Sequence, residues 1–144
     1  MLPLEGMSRA IKILIVEDSE NDAILLVHQL KTAGYAPHFK RVDNAQAMRS
    51  ALETESWEAI LSDYVMPQFS AAEALTICQQ SKLDIPFIVV SGRIGEEVAV
   101  EMMKSGALDY LVKDFRFQEI VPSVVGRALV QVRQELLEQC FAGD

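Results

Sequence analysis

Ile11-Lys12-Ile13-Leu14-Ile15-Val16-Glu17-Asp18 is the stretch that decides the fold. Its apolar part is short and rich in branched residues, which suits a strand buried on both faces of a parallel sheet. It stops at two adjacent carboxylates. Working outward, Ser19 is placed to cap a helix from Glu20 to Ala33, with Asp22 three positions on as a short-armed capping-box partner. Ala23, Leu26, Val27 and Leu30 recur at the helical period, and Gly34 closes the segment.

The unit then repeats. Pro37 to Val42 reads as a second strand, at an edge because Pro37, His38, Lys40 and Arg41 dilute it. Asp43 or Asn44 caps a helix through Glu53 that turns Ala47, Met48, Ala51 and Leu52 inward. Trp57 to Ser62 is the third strand, with Trp57 anchoring its start, and Ala71 to Gln80 the third helix. Ile85 to Val90 is the most apolar segment and reads as a central strand; Glu96 to Lys104 is a helix stopped at Gly106. Leu108 to Val112 is the fifth strand, and a last helix runs from Gln118 to Glu138 with Pro122 near its first turn. Five strands alternating with five helices predict an α/β sandwich with right-handed crossovers. Val125, Leu129, Val132 and Leu136 carry an apolar line along the last helix, which suits either a partner helix or folding back.

A chain of 144 residues fits one domain with a real core. We expect a tail at 1–10, the domain at 11–139 with its last helix extended, and a tail at 140–144. Thirteen basic against twenty-one acidic residues give a formal charge of −8, which disfavours direct binding of nucleic acid or an anionic membrane. Cys78 and Cys140 form no CxxC or His-Cys cluster and read as reduced thiols. Met1 to Ala10 lacks the apolar core of a signal peptide, and no stretch is long enough to span a bilayer. The expectation is a cytoplasmic protein without membrane insertion.

The chemistry collects at strand ends. Glu17 and Asp18 follow the first strand and Asp63 follows the third, and in a parallel sheet these ends meet at the edge where ligands bind. Carboxylates brought together raise each other's pKa unless a cation joins them, so a hard divalent ion is expected. Asp63 has the position of a metal ligand that is also a weak nucleophile toward phosphorus. Ser91 and Gly92 leave the fourth strand with a hydroxyl and an unobstructed backbone, and Lys113 leaves the fifth with an ammonium. Phosphoryl transfer needs that set to stabilise charge on the equatorial oxygens. Taken singly, each has a plainer reading: helix-start carboxylates, a strand-end hydroxyl, a surface lysine.

Four pieces in order carry a family resemblance: Ile13-Leu14-Ile15-Val16-Glu17-Asp18, Ser62-Asp63-Tyr64-Val65-Met66-Pro67, Val89-Val90-Ser91-Gly92 and Ala107-Leu108-Asp109-Tyr110-Leu111-Val112-Lys113. Over about residues 11 to 130 the chain resembles a receiver domain of the two-component response-regulator family, of the stand-alone, chemotaxis-regulator kind. The resemblance implies a flavodoxin-like, doubly wound five-stranded parallel sheet of order 2-1-3-4-5 with five helices. It implies that Asp63 accepts a phosphoryl group from a sensor histidine kinase or a phosphotransfer protein. Glu17, Asp18, Asp63 and the Val65 backbone carbonyl would hold Mg²⁺, with Mn²⁺ able to substitute. Ser91, Gly92 and Lys113 would stabilise the phosphoryl group, and Tyr110 would act as the aromatic switch on the face of helix four, strand five and helix five.

The implied protein is a signalling switch with its own autophosphorylation and autodephosphorylation chemistry rather than a metabolic enzyme. Its output would go to a downstream protein target in trans, with a homodimer as a further expectation. Two departures stand out. Ser91 replaces the family's commoner threonine, and Asp114 stands where the family keeps a cis proline, a bond that costs about 2.5–4 kcal/mol for other residues. A haloacid-dehalogenase-type phosphohydrolase would need an aspartate at Val65, and a flavodoxin-like electron carrier would need a phosphate-cradling loop at Glu17-Asp18. A receiver-shaped adaptor that is not phosphorylated is the alternative.

Overall fold

The computed structural model describes residues 9–92, 95–113, 123–130 and 137–138. Strand β1 (Arg9–Val16) leads through helix α1 (Glu20–Thr32) to β2 (Tyr35–Val42), and α2 (Ala45–Thr54) leads to β3 (Ala59–Asp63). Then follow α3 (Ala71–Gln80), β4 (Phe87–Ser91), α4 (Glu96–Ser105) and β5 (Asp109–Val112). Residues 123–130 are helical and form α5; the remainder of the expected last helix falls largely outside the described residues. The strands lie parallel in the order β2-β1-β3-β4-β5.

Alternation along β1 builds the two layers. Leu14 and Val16 enter a core with residues of α2, α3 and α4, such as Met48, Leu75 and Met102. Ile11, Ile13 and Ile15 enter the opposite core with Leu26 and Leu30 of α1 and Val125 and Leu129 of α5. A strand buried on both faces needs no polar alternation, which is why the deciding stretch is so uniformly apolar. Lys12 interrupts it at the far end of the sheet, where its ammonium lies 5.6 Å from the Trp57 ring and 3.6 Å from Glu55. Trp57 anchors that corner by donating from its indole N–H to the Ala51 carbonyl at 3.0 Å.

Several local signals act as expected. The Ser19 side chain accepts the Asp22 N–H, and Asn44 rather than Asp43 caps α2. The capping box expected at Ser19 is only half formed. The Ser19 N–H goes to the Glu17 carboxylate at 3.1 Å, and the Asp22 carboxylate turns to Lys113. A complete capping box stands instead at α3, between Ser70 and Glu73.

Gly106 ends α4 at φ 119°, a left-handed backbone that L side chains adopt only with strain. A Cβ there would also collide with the Gln79 amide, which donates to the Ser105 carbonyl at 2.6 Å. Gly106→Ala is therefore expected to lower stability by roughly 1–2 kcal/mol. Urea unfolding followed by circular dichroism would measure it, and an unchanged midpoint would contradict this account.

Candidate metal and phosphoryl site

Strand order β2-β1-β3-β4-β5 places the ends of β1, β3, β4 and β5 along one rim, and each end delivers a functional group. Glu17 follows β1 and is 1% exposed, whereas its neighbour Asp18 is exposed. Asp63 is the last residue of β3, with its side chain 13% exposed. One carboxylate oxygen from each of the three lies within 4.8 Å of the others. All donors are hard oxygens without histidine or thiolate, a set that suits Mg²⁺, Mn²⁺ or Ca²⁺ rather than zinc.

Lys113 follows β5 and reaches into the cluster. Its backbone N–H donates to the Ser91 carbonyl at 2.7 Å, which ties the β5 exit to the β4 end. Its ammonium stands 3.3 Å from Glu17 Oε2, 3.5 Å from Asp22 Oδ2 and 4.0 Å from Asp63 Oδ1. Burial pulls the lysine pKa down, but Asp63, Glu17 and Asp22 together outweigh it, so the net shift is upward and the side chain stays charged.

Burial acts on the carboxylates in the opposite sense. Burial pushes Glu17 up to about 7, against the lowering effects of the Ser19 N–H and Lys113. Burial also raises Asp63, opposed chiefly by Lys113. One lysine thus leaves the cluster short of positive charge, and a divalent cation would supply the remainder. The three carboxylates fit such an ion.

Ser91 ends β4 at 2% exposure, and Tyr110 of β5 packs against the α2–α3–α4 core. The Tyr110 hydroxyl is buried without a hydrogen-bond partner among the described residues. Burial raises its pKa; the Ser91 side chain opposes the shift, although no bond of regular geometry joins the two. Gly92 has open space where a Cβ would stand, so packing does not demand glycine there. Val65 is 65% exposed beside Asp63. Asp114 lies outside the described residues.

Asp22 and Arg41 were not read from sequence as site residues. Asp22 sits on the first turn of α1, the helix that starts just beyond Glu17 and Asp18, and that closeness to the strand end could have signalled it. Arg41 donates to the Glu17 carbonyl at 3.1 Å across the β1–β2 pair, and no local spacing signals that.

A doubly wound parallel sheet of this order, with clustered carboxylates and a lysine at its C-terminal rim, defines a flavodoxin-like domain of the phosphoacceptor type. The chain belongs to the response regulator receiver domain family, whose model matches residues 13–125. It is 33% identical over 122 residues to the transcriptional regulatory protein PrrA of Mycobacterium tuberculosis (strain ATCC 25618 / H37Rv), a match covering 85% of this chain and 51% of that protein. The chain thus spans about half the length of that curated relative. Among solved structures, chemotaxis protein CheY4 of Vibrio cholerae is 26% identical with a TM-score of 0.68, covering 83% of this chain and 99% of that one. A signal receiver domain assigned to a LuxO repressor of Vibrio parahaemolyticus shares the fold at a TM-score of 0.79 and 23% identity, covering 90% and 98% of the two chains. The family's chemistry is autophosphorylation and dephosphorylation rather than the turnover of a metabolite. Among the described residues, no helix is long and apolar enough to cross a membrane.

Proposed function

We propose that this chain is a phosphoryl-accepting switch in which Asp63 takes a phosphoryl group from the phosphohistidine of a sensor kinase or phosphotransfer protein. The observation that carries the reading is the convergence of Glu17, Asp18 and Asp63 within 4.8 Å, with Lys113 bridging Glu17 and Asp63. An Asp63 carboxylate oxygen attacks phosphorus; the new O–P bond forms as the P–N bond breaks, and the leaving imidazole keeps that electron pair. Glu17, Asp18, Asp63 and the Val65 carbonyl would hold Mg²⁺, or Mn²⁺ in its place. When bound, the ion supplies charge neutralisation to the incoming phosphoryl oxygens.

Lys113 offsets charge on the same oxygens from the β5 side. The Ser91 hydroxyl and the Gly92 backbone complete the surround from the β4 side. The Tyr110 hydroxyl, buried and without a partner among the described residues, supports a switch role, because an orphan polar group favours any rearrangement that gives it a partner. Val100 and Met103 of α4 and Val112 of β5 are exposed apolar side chains, which supports an output through partner binding on that face, in trans or as a homodimer. We assign residues 11–139 to the receiver domain and its action to the cytoplasm.

The test is intact-mass spectrometry after incubation with Mg²⁺ and a small acyl phosphate. One phosphoryl group is expected on the wild type and none on Asp63→Asn. An unmodified wild type, or equal modification of both proteins, would overturn the reading.

A further inference from the structure

The main chain of Glu17 is held from the edge strand on both of its polar atoms. Its N–H donates to the Val42 carbonyl at 3.0 Å, and its carbonyl accepts from Arg41 Nη1 at 3.1 Å. The β1–β2 pairing ends at Val16↔Val42, after which the chain turns into α2 with Asn44 as its cap. In a parallel ladder the next donor to Glu17 would be a backbone N–H two residues beyond Val42. The Arg41 side chain supplies a donor at that point instead. Asp43 Oδ2 lies 3.5 Å from the same Nη1, and the Arg41 side chain is 31% exposed, so most of it is packed.

Everything the Glu17 carboxylate does depends on that anchored peptide. Oε1 accepts the Ser19 N–H at 3.1 Å and Oε2 meets Lys113 at 3.3 Å, so the turn carrying Glu17 and Asp18 is pinned at both ends. Without the guanidinium the Glu17 carbonyl would lose its side-chain donor, and the turn that aims Glu17 and Asp18 would be held less firmly. A guanidinium fits the task because its donors are fixed in a plane, whereas an ammonium is a mobile point charge.

We infer that Arg41 is a positioning residue of the acidic cluster, holding the Glu17 carbonyl so that Glu17 and Asp18 face Asp63. The inference deepens the proposed function and rests on the reading that this cluster takes Mg²⁺. Arg41 acts through backbone and need touch neither the ion nor a phosphoryl group.

Wild type, Arg41→Met and Arg41→Lys would be compared by amide hydrogen exchange without metal and by calorimetric titration with Mg²⁺. In Arg41→Met, exchange at Asp18 and Ser19 is expected to accelerate about tenfold while Ile88 and Val89 in β4 are unchanged. The Mg²⁺ dissociation constant is expected to rise about tenfold, and Arg41→Lys to recover part of both losses. Acceleration that extends to β4 marks a general loss of stability and overturns the inference. So does wild-type Mg²⁺ affinity in Arg41→Met, whatever its exchange rates. A wild type that takes up no Mg²⁺ removes the metal reading instead, and the exchange data then decide Arg41's hold on the turn alone.

Discussion

Lys113→Met is expected to slow phosphoryl uptake from an acyl phosphate by about 10²–10³-fold while leaving the site able to bind Mg²⁺. The two effects separate because Lys113 serves the two charges differently. Its ammonium lies 3.3 Å from Glu17 and 4.0 Å from Asp63, where it neutralises carboxylates that a divalent ion would otherwise neutralise. Removing it takes one positive charge away from the ion, so Mg²⁺ affinity should tighten. The same deletion removes the cation that meets the incoming phosphoryl oxygens, so the transition state loses a stabilising partner. Single-turnover phosphorylation at saturating Mg²⁺, followed by intact mass, measures the first effect, and calorimetry the second. A variant phosphorylated at the wild-type rate would remove Lys113 from the mechanism.

The second large effect is on pH dependence. Without metal, burial holds the Glu17 carboxyl at about 7 against an ordinary value of 4.5. A carboxyl whose pKa is higher folded than unfolded binds its proton more tightly in the native state. Its contribution to stability is complete below the unfolded pKa and is lost as pH rises through the folded one. Metal-free protein should therefore lose on the order of a few kcal/mol between about pH 5 and about pH 8, and Asp63, raised in the same direction, adds to the loss. Lys113 acts in the same direction, but only far above this window, since its pKa is raised from an already alkaline value of 10.5. Mg²⁺ competes with the proton on Glu17, so its affinity should strengthen as pH rises through about 7, with proton release on binding. Thermal melts across this range should fall with pH in chelator and stay nearly level in saturating Mg²⁺, where Glu17 is ionised in the folded and the unfolded chain alike. Glu17→Gln should flatten the chelator series and abolish the Mg²⁺ effect. Parallel slopes in the wild type would refute the assignment.

These expectations draw unequally on local and non-local information. The alternation of branched apolar runs with helical stretches is a property of neighbouring residues, so β1 to β5 and α1 to α4 follow from periodicity and caps to within a few positions. Asp22 is the instructive miss. Its sequence position suggested a capping partner for Ser19, but the Ser19 N–H is taken by Glu17 and Asp22 is drawn by an ammonium from the far end of the chain. Local chemistry offered one partner and tertiary electrostatics supplied a stronger one.

The amino-acid order alone determined that carboxylates at Glu17, Asp18 and Asp63 and an ammonium at Lys113 would leave buried parallel strands at the same rim, because strand ends are set by local hydrophobic pattern. Only the tertiary structure decided which carboxylate is shut away from water. Glu17 is buried and Asp18 exposed although they are adjacent, since the backbone turns between them. It also decided that Lys113 divides itself among Glu17, Asp22 and Asp63, and that Arg41 of the edge strand grips Glu17. Those contacts depend on strand order and register, which bring together residues as far as 96 positions apart, and no local pattern encodes a partner at that distance.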